Sequence, residues 1–116
     1  MPLTALRGWA CFRAVHSSGR FRRGPSLTVH WLANGMDYNR YGVAAKTKTG
    51  TAVVRNRVRR WAKELLRRWD VHLDQGYDII ILANRPEAAQ SYQGFAEQLA
   101  HVLTMCKLTA ERLSPG

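Results

Sequence analysis

Between Arg55 and Arg68 seven cationic side chains, Arg55, Arg57, Arg59, Arg60, Lys63, Arg67 and Arg68, meet a single carboxylate, Glu64. Such groups neutralise phosphates, and the planar guanidinium fork does so with two parallel hydrogen bonds. A charge run on a surface helix is ordinarily balanced by acids one turn away. Here the balance is missing, and arginines crowd the helix start, where the macrodipole favours anions. An arrangement that is unfavourable alone and favourable beside phosphates points to nucleic acid. Just upstream, Gly50-Thr51-Ala52 can bring backbone N–H groups and the positive helix end against a phosphate, with Lys48 nearby. No Gly-Lys-Thr/Ser follows at Walker spacing, so a nucleotide triphosphatase is unsupported.

Other reactive residues are scattered. His72 and His101 are isolated, and no Ser-His-Asp, Cys-His or paired-carboxylate set can be placed, so no catalytic residue is expected in the chain itself. Cys11 and Cys106 lie in amphipathic segments with no second pair from which to build a zinc site, and they are expected as buried thiols. The whole chain of 116 residues carries a net charge of +10, and its 46% apolar and 22% charged residues fit one globular domain over 1–116. No acid precedes Asp37 and none falls between Asp37 and Glu64, so the first half carries the positive field. No apolar run approaches the ~20 residues of a membrane span, and no signal peptide is legible, so a cytoplasmic protein without a membrane partner is expected. Residues 1–4 and 114–116 are expected to be flexible.

The elements that must hold these groups follow from periodicity. Trp9, Phe12 and Val15 recur at helical spacing from about Arg7 to Ser17, with Gly19 as the stop. Leu27, Val29 and Trp31 alternate with Thr28 and His30 as a strand, Asn34-Gly35 reads as a turn, and Tyr41 to Ala45 returns, which suggests an antiparallel pair. From Val53 to about Trp69, Val58, Trp61, Ala62, Leu65 and Trp69 form one stripe of a long helix beside a cationic face. Ile79-Ile80-Ile81-Leu82-Ala83 is a strand covered on one or both faces. Ser91 can cap a last helix whose stripe is Tyr92, Phe95, Ala96, Leu99, Val102, Leu103 and Cys106. The order is α-β-β-α-β-α, and Trp9, Trp31, Trp61 and Trp69 all fall in apolar phases that predict core.

The run Gly50-Thr51-Ala52-Val53-Val54-Arg55-Asn56-Arg57-Val58-Arg59-Arg60, continued by Lys63-Glu64, resembles the signature of the protein subunit of bacterial ribonuclease P. Phe12, Val15 and Gly19, the strand from Gly42 to Ala45 and the strand from Asp78 to Ile81 extend the resemblance over nearly the whole chain. It implies an α/β fold, an α+β two-layer sandwich similar to the second domain of ribosomal protein S5, with a left-handed β-α-β crossover. It also implies a protein that does not itself cut RNA. Such a subunit binds a catalytic RNA and the 5′ leader of precursor tRNA, and the RNA, with Mg2+, releases the mature tRNA 5′ end. No cofactor bound by the protein itself and no protein partner is implied.

Residue by residue, the resemblance assigns RNA contacts to Lys46, Lys48, Arg55, Asn56, Arg57, Arg59, Arg60, Lys63 and Arg67. A leader cleft between the first helix and the sheet is implied at Phe12, His16 and His30, where bases stack on aromatic side chains. Each has a plainer reading: Phe12 as core, His16 and His30 as exposed polar residues. The chain departs from the family pattern in several places. Histidines replace aromatics at His16 and His30, Thr47 separates Lys46 from Lys48, Lys63 stands where arginine is common, and Asn84 occupies a usually basic position. Two other classes share the size and charge: a structural RNA-binding protein of ribosomal type, and a protein-only nuclease with His16 or His30 as general base.

Overall fold

The computed structural model describes residues 3–110 and 112–114. Helix α1 (Trp9–Ser18) leads into strands β1 (Arg20–Arg23), β2 (Leu27–Ala33) and β3 (Arg40–Ala45). Helix α2 (Ala52–Trp69), strand β4 (Tyr77–Ala83) and helix α3 (Tyr92–Met105) follow, with short 3-10 turns at Thr47–Thr49, Asp70–His72 and Pro86–Ala89. The four strands form one sheet in the order β1-β2-β4-β3. β2 is antiparallel to β1 and β4, and β3 runs parallel to β4. The α/β class matches expectation, and the order gains one strand, β1.

The centre of the sheet is the isoleucine run. Ile79, Ile80 and Ile81 are all buried, because α2 and α3 cover one face and α1 part of the other. On the larger side, Leu27, Val29, Ile79, Ile81 and Ala83 pack against Val58, Ala62, Leu65, Leu66 and Trp69 of α2 and Phe95, Leu99, Val102 and Leu103 of α3. On the smaller side, Leu6, Val15 and Ile80 make a second cluster flanked by Cys11, Phe12 and Leu32. This α1 layer is an addition to the two layers expected.

Two expectations are corrected here. β2 and β3 do not form an antiparallel pair, because β4 lies between them. The loop over 34–39 is too well anchored for a tight hairpin: the buried Asn39 donates to the Asp74 carbonyl (2.8 Å) and accepts from the Tyr77 N–H (2.8 Å), tying the loop to the approach of β4. The parallel register is then pinned by Arg40, which sits opposite Asp78 and grips it bidentately at 2.8 and 2.7 Å. Trp9, predicted as core, is 76% exposed, because α1 begins at that residue and only its Cys11-Phe12-Val15 side reaches the sheet. Trp69 is fully buried, while Trp31 and Trp61 pack half-buried against the main core.

The helix starts have local causes. Thr51 caps α2 by accepting from the Val54 N–H (3.3 Å), and Ser91 caps α3 by accepting from the Gly94 N–H (3.0 Å), as its position predicted. Cys106 is buried, and burial pushes its thiol up to about 12, whereas Cys11 is only half-buried. Of the ends expected to be flexible, Thr4 accepts from the Tyr41 N–H (2.9 Å) and Ser114 from the Trp69 indole (2.8 Å). Met1, Pro2, Pro115 and Gly116 lie outside the described residues.

Gly19 ends α1 in an extended conformation (φ −83°, ψ 176°), so it is not needed there for a left-handed cap. Its necessity is close approach: a Cβ would lie 2.4 Å from the Val15 carbonyl oxygen and 2.6 Å from that of Trp31. Neither backbone oxygen can swing aside. Gly19→Ala should therefore destabilise the protein by about 1 to 3 kcal/mol, read as a lower urea midpoint at unchanged slope.

Candidate nucleic-acid interface

Burial of Val58, Ala62, Leu65, Leu66 and Trp69 fixes the rotation of α2. At about 100° per residue, the opposite side then carries Asn56, Arg60, Lys63 and Arg67. These four, with Arg59 and Glu64, line a shallow groove along the helix. Arg59 donates to the Asn56 carboxamide oxygen, which draws its fork towards that row. Arg57 is exposed but falls on the far flank, toward Arg68 and Trp61, and does not line the groove. Arg55 is half-buried at the helix start, and its Nε is buried without a hydrogen-bond partner among the described residues, as is Thr49 Oγ1. Among the described residues, none of Arg55, Arg57, Arg59, Arg60, Lys63 and Arg67 is ion-paired; the side-chain pair formed is Arg40–Asp78. For these six cations the sequence imbalance persists in space among the described residues.

Lys46 and Lys48 belong elsewhere. Lys46 precedes the 3-10 turn after β3 and Lys48 lies within it, and both line a separate cleft of about 1220 Å3 on the α1 side of the sheet, with His16, Phe21, Arg23, Thr28, His30, Asn84 and Arg85 among its walls. The turn that carries the lysines leads directly through Gly50 into α2, so cleft and groove are joined by one short segment. Asn84, at a position usually basic in the family pattern, donates to Thr28 Oγ1 (3.1 Å) on the cleft floor.

His16 of α1 and His30 of β2 meet edge to face, ring centroids 4.5 Å apart. Phe12, expected in the same cleft, is not part of its lining; it packs over Gly42, where an added Cβ would lie 2.7 Å from its ring. Phe12 is half-buried, one helical turn before His16, and flanks the Leu6, Val15 and Ile80 cluster. The sequence reading missed Phe21. This residue of β1 is 58% exposed and lies 5.7 Å from His30, ring to ring, opposite it in the strand pairing. Its one sequence signal was an apolar ring set among Arg20, Arg22 and Arg23.

A four-stranded α/β protein with a cationic helix groove and a cation-lined cleft is, as a class, built to hold a polyanion. Known proteins make that class specific. The Ribonuclease P family model matches residues 3–107. The chain is 31% identical over 110 residues, 95% of each chain, to the ribonuclease P protein component of Caldanaerobacter subterraneus subsp. tengcongensis. It is 34% identical over 98 residues, 84% of this chain and 87% of the other, to that of Alkaliphilus metalliredigens. In three dimensions it superposes on the Staphylococcus aureus RNase P protein with a TM-score of 0.84 at 25% identity, covering 90% of this chain and 96% of that one. The Thermotoga maritima RNase P protein gives 0.77 at 28% identity, over 87% and 96%. The chain belongs to the bacterial ribonuclease P protein family.

Burial in the cleft wall, then the neighbouring His16 and Lys46, hold His30 below the ordinary imidazole value. The unfolded chain therefore binds more protons than the folded one just below that value, so stability falls as pH drops through it and levels off below the folded pKa. Thermal unfolding followed between about pH 7.5 and 5.5 should show this decline, and His30→Phe should flatten it.

Proposed function

We propose that the α2 groove binds the catalytic RNA subunit and that the cleft between α1 and the sheet receives the 5′ leader of precursor tRNA. Membership of the family makes the chain the protein component of the ribonucleoprotein that processes tRNA 5′ ends. In this reading the bond-breaking centre lies in the RNA subunit, and the protein binds and orients. The observation that carries it is the row of groove cations on α2, Arg59, Arg60, Lys63 and Arg67, continuous through the Lys46–Lys48 turn with a cleft that holds rings as well as charge.

The chemistry divides by site. Groove cations neutralise phosphates and release counterions, which supplies affinity and register with little sequence information. Asn56 holds the Arg59 guanidinium and so limits the directions in which that fork meets phosphate. In the cleft, His16 and His30 offer flat faces and N–H donors to unpaired bases, while Lys46 and Lys48 meet the backbone between them. Mg2+ is assigned to the holoenzyme and not to this chain. Among the described residues no group of three His, Cys, Asp or Glu side chains is arranged around a metal, and the groove and cleft supply one carboxylate each, Glu64 and Glu87. The residues present do not fit a magnesium site. Among the described residues, no helix is long and apolar enough to cross a membrane.

Cleavage assays test this directly. Precursor tRNA is incubated with protein alone, with catalytic RNA alone, and with both at low Mg2+; cleavage should be strongest with both and absent with protein alone. Cutting by protein alone would place the chemistry in the chain, and failure to assist the RNA would favour a ribosomal type of role. A second expectation concerns the groove. Arg60→Ala combined with Arg67→Ala should weaken binding to the catalytic RNA and reduce the salt slope of log K by about 0.7 to 0.9 for each phosphate that is no longer neutralised. An unchanged slope in the folded double variant would exclude this face.

A further inference from the structure

Phe21 is the exposed ring of the cleft that the family pattern does not account for. It sits on β1, the edge strand of the sheet, with all four residues of that strand exposed. Residues two apart share a face of a strand, so Phe21 and Arg23 project together on the side of Thr28 and His30, their partners in the register. The Arg23 guanidinium lies 6.0 Å from the Phe21 ring centroid, at the outer limit of a cation–π contact. The opposite neighbour is His30, tilted 33° to Phe21 and itself met edge-on by His16. Rings from α1, β2 and β1 therefore stand in a row, and Phe21 is the outermost.

An exposed phenyl ring on a sheet edge exposes apolar area that the rest of the chain does not cover. What would cover it must have a flat apolar face and also tolerate the charge around it: Arg23, Lys46, Lys48 and Arg85 against Glu87. A single strand of nucleic acid has both properties, since each base presents a π-face and each linkage an anion. At 4.5 and 5.7 Å the rings contact one another and leave no gap for a base between them, so the area open to a base is the exposed part of the Phe21 ring.

We propose that Phe21, flanked by Arg23, is an outer stacking position for a base of the unpaired 5′ extension of the substrate, beyond the His16–His30 pair. This rests on the reading of the cleft given above. It assigns to the β1 edge a role in how far along the leader the protein makes contact.

The test uses the reconstituted holoenzyme and precursor tRNAs whose leaders are either one nucleotide or about ten nucleotides long. Phe21→Ala should weaken binding of the long-leader substrate roughly five- to tenfold relative to the short-leader one. Phe21→Trp should restore it, and with Phe21→Ala a 2-aminopurine in the leader should escape the fluorescence quenching that wild type produces. His30→Ala serves as the reference for the cleft. A weakening with His30→Ala and none with Phe21→Ala would overturn the outer position and leave the cleft reading intact. No leader-length effect from either variant would overturn both. Equal weakening of the two substrates by Phe21→Ala, or no rescue by tryptophan, would mark Phe21 as structural and also overturn the proposal.

Discussion

Everything on the functional surface depends on apolar burial holding α2 in one rotation against the repulsion of its own charges. Like charges one helical turn apart cost a few tenths of a kcal/mol per pair, and α2 has several such pairs. Burying Val58, Leu65, Leu66 and Trp69 contributes roughly 1.5 to 3 kcal/mol for each large side chain. Burial wins by a wide margin, so the helix stays folded and aimed without any ligand. The cations are thus pre-organised rather than assembled on binding, and the conformational cost of presenting them has been met by the core.

Elements with dense apolar patterns were legible in the sequence, and those defined by edges or distant pairing were not. α2, α3 and β4 follow directly from their stripes, because each buries a whole face and so leaves a period in the residue pattern. β1 leaves none: Arg-Phe-Arg-Arg is exposed throughout, and it is a strand because β2 offers it a free edge. The pairing of β3 with β4 was equally hidden. It depends on Arg40 meeting Asp78 and on Asn39 bridging to the chain before β4, contacts between residues nearly forty positions apart. Local turn chemistry at Asn34-Gly35 pointed instead to a hairpin.

The candidate site divides along the same line. The cationic row of α2 was readable because charge and helical period are both local properties. That Arg57 lies apart from Arg60, and that Lys46 and Lys48 face the cleft, emerges only once the helix is docked and the turn before it is placed. Phe12 and Phe21 are told apart only by the fold for a similar reason. A phenyl ring on an amphipathic helix and one on a polar edge strand look alike in sequence, and only the proximity of Gly42 makes the first a packing residue.

The distribution of carboxylates completes the electrostatic argument. Asp78 is occupied by Arg40 and Asn34, and Asp70 accepts from Tyr41 and Gln75. Glu97 accepts from Gln93 on the outer side of α3. None of these three lines the groove or the cleft, where Glu64 and Glu87 are the carboxylates present. A fold that used them to quiet the α2 arginines would gain a little surface ion-pair stability, typically under 1 kcal/mol for each exposed pair. It would forgo the release of counterions to phosphate at every arginine so neutralised. The spatial separation of charge therefore sacrifices a small amount of stability in the isolated protein and keeps the larger free energy for the moment when a polyanion arrives.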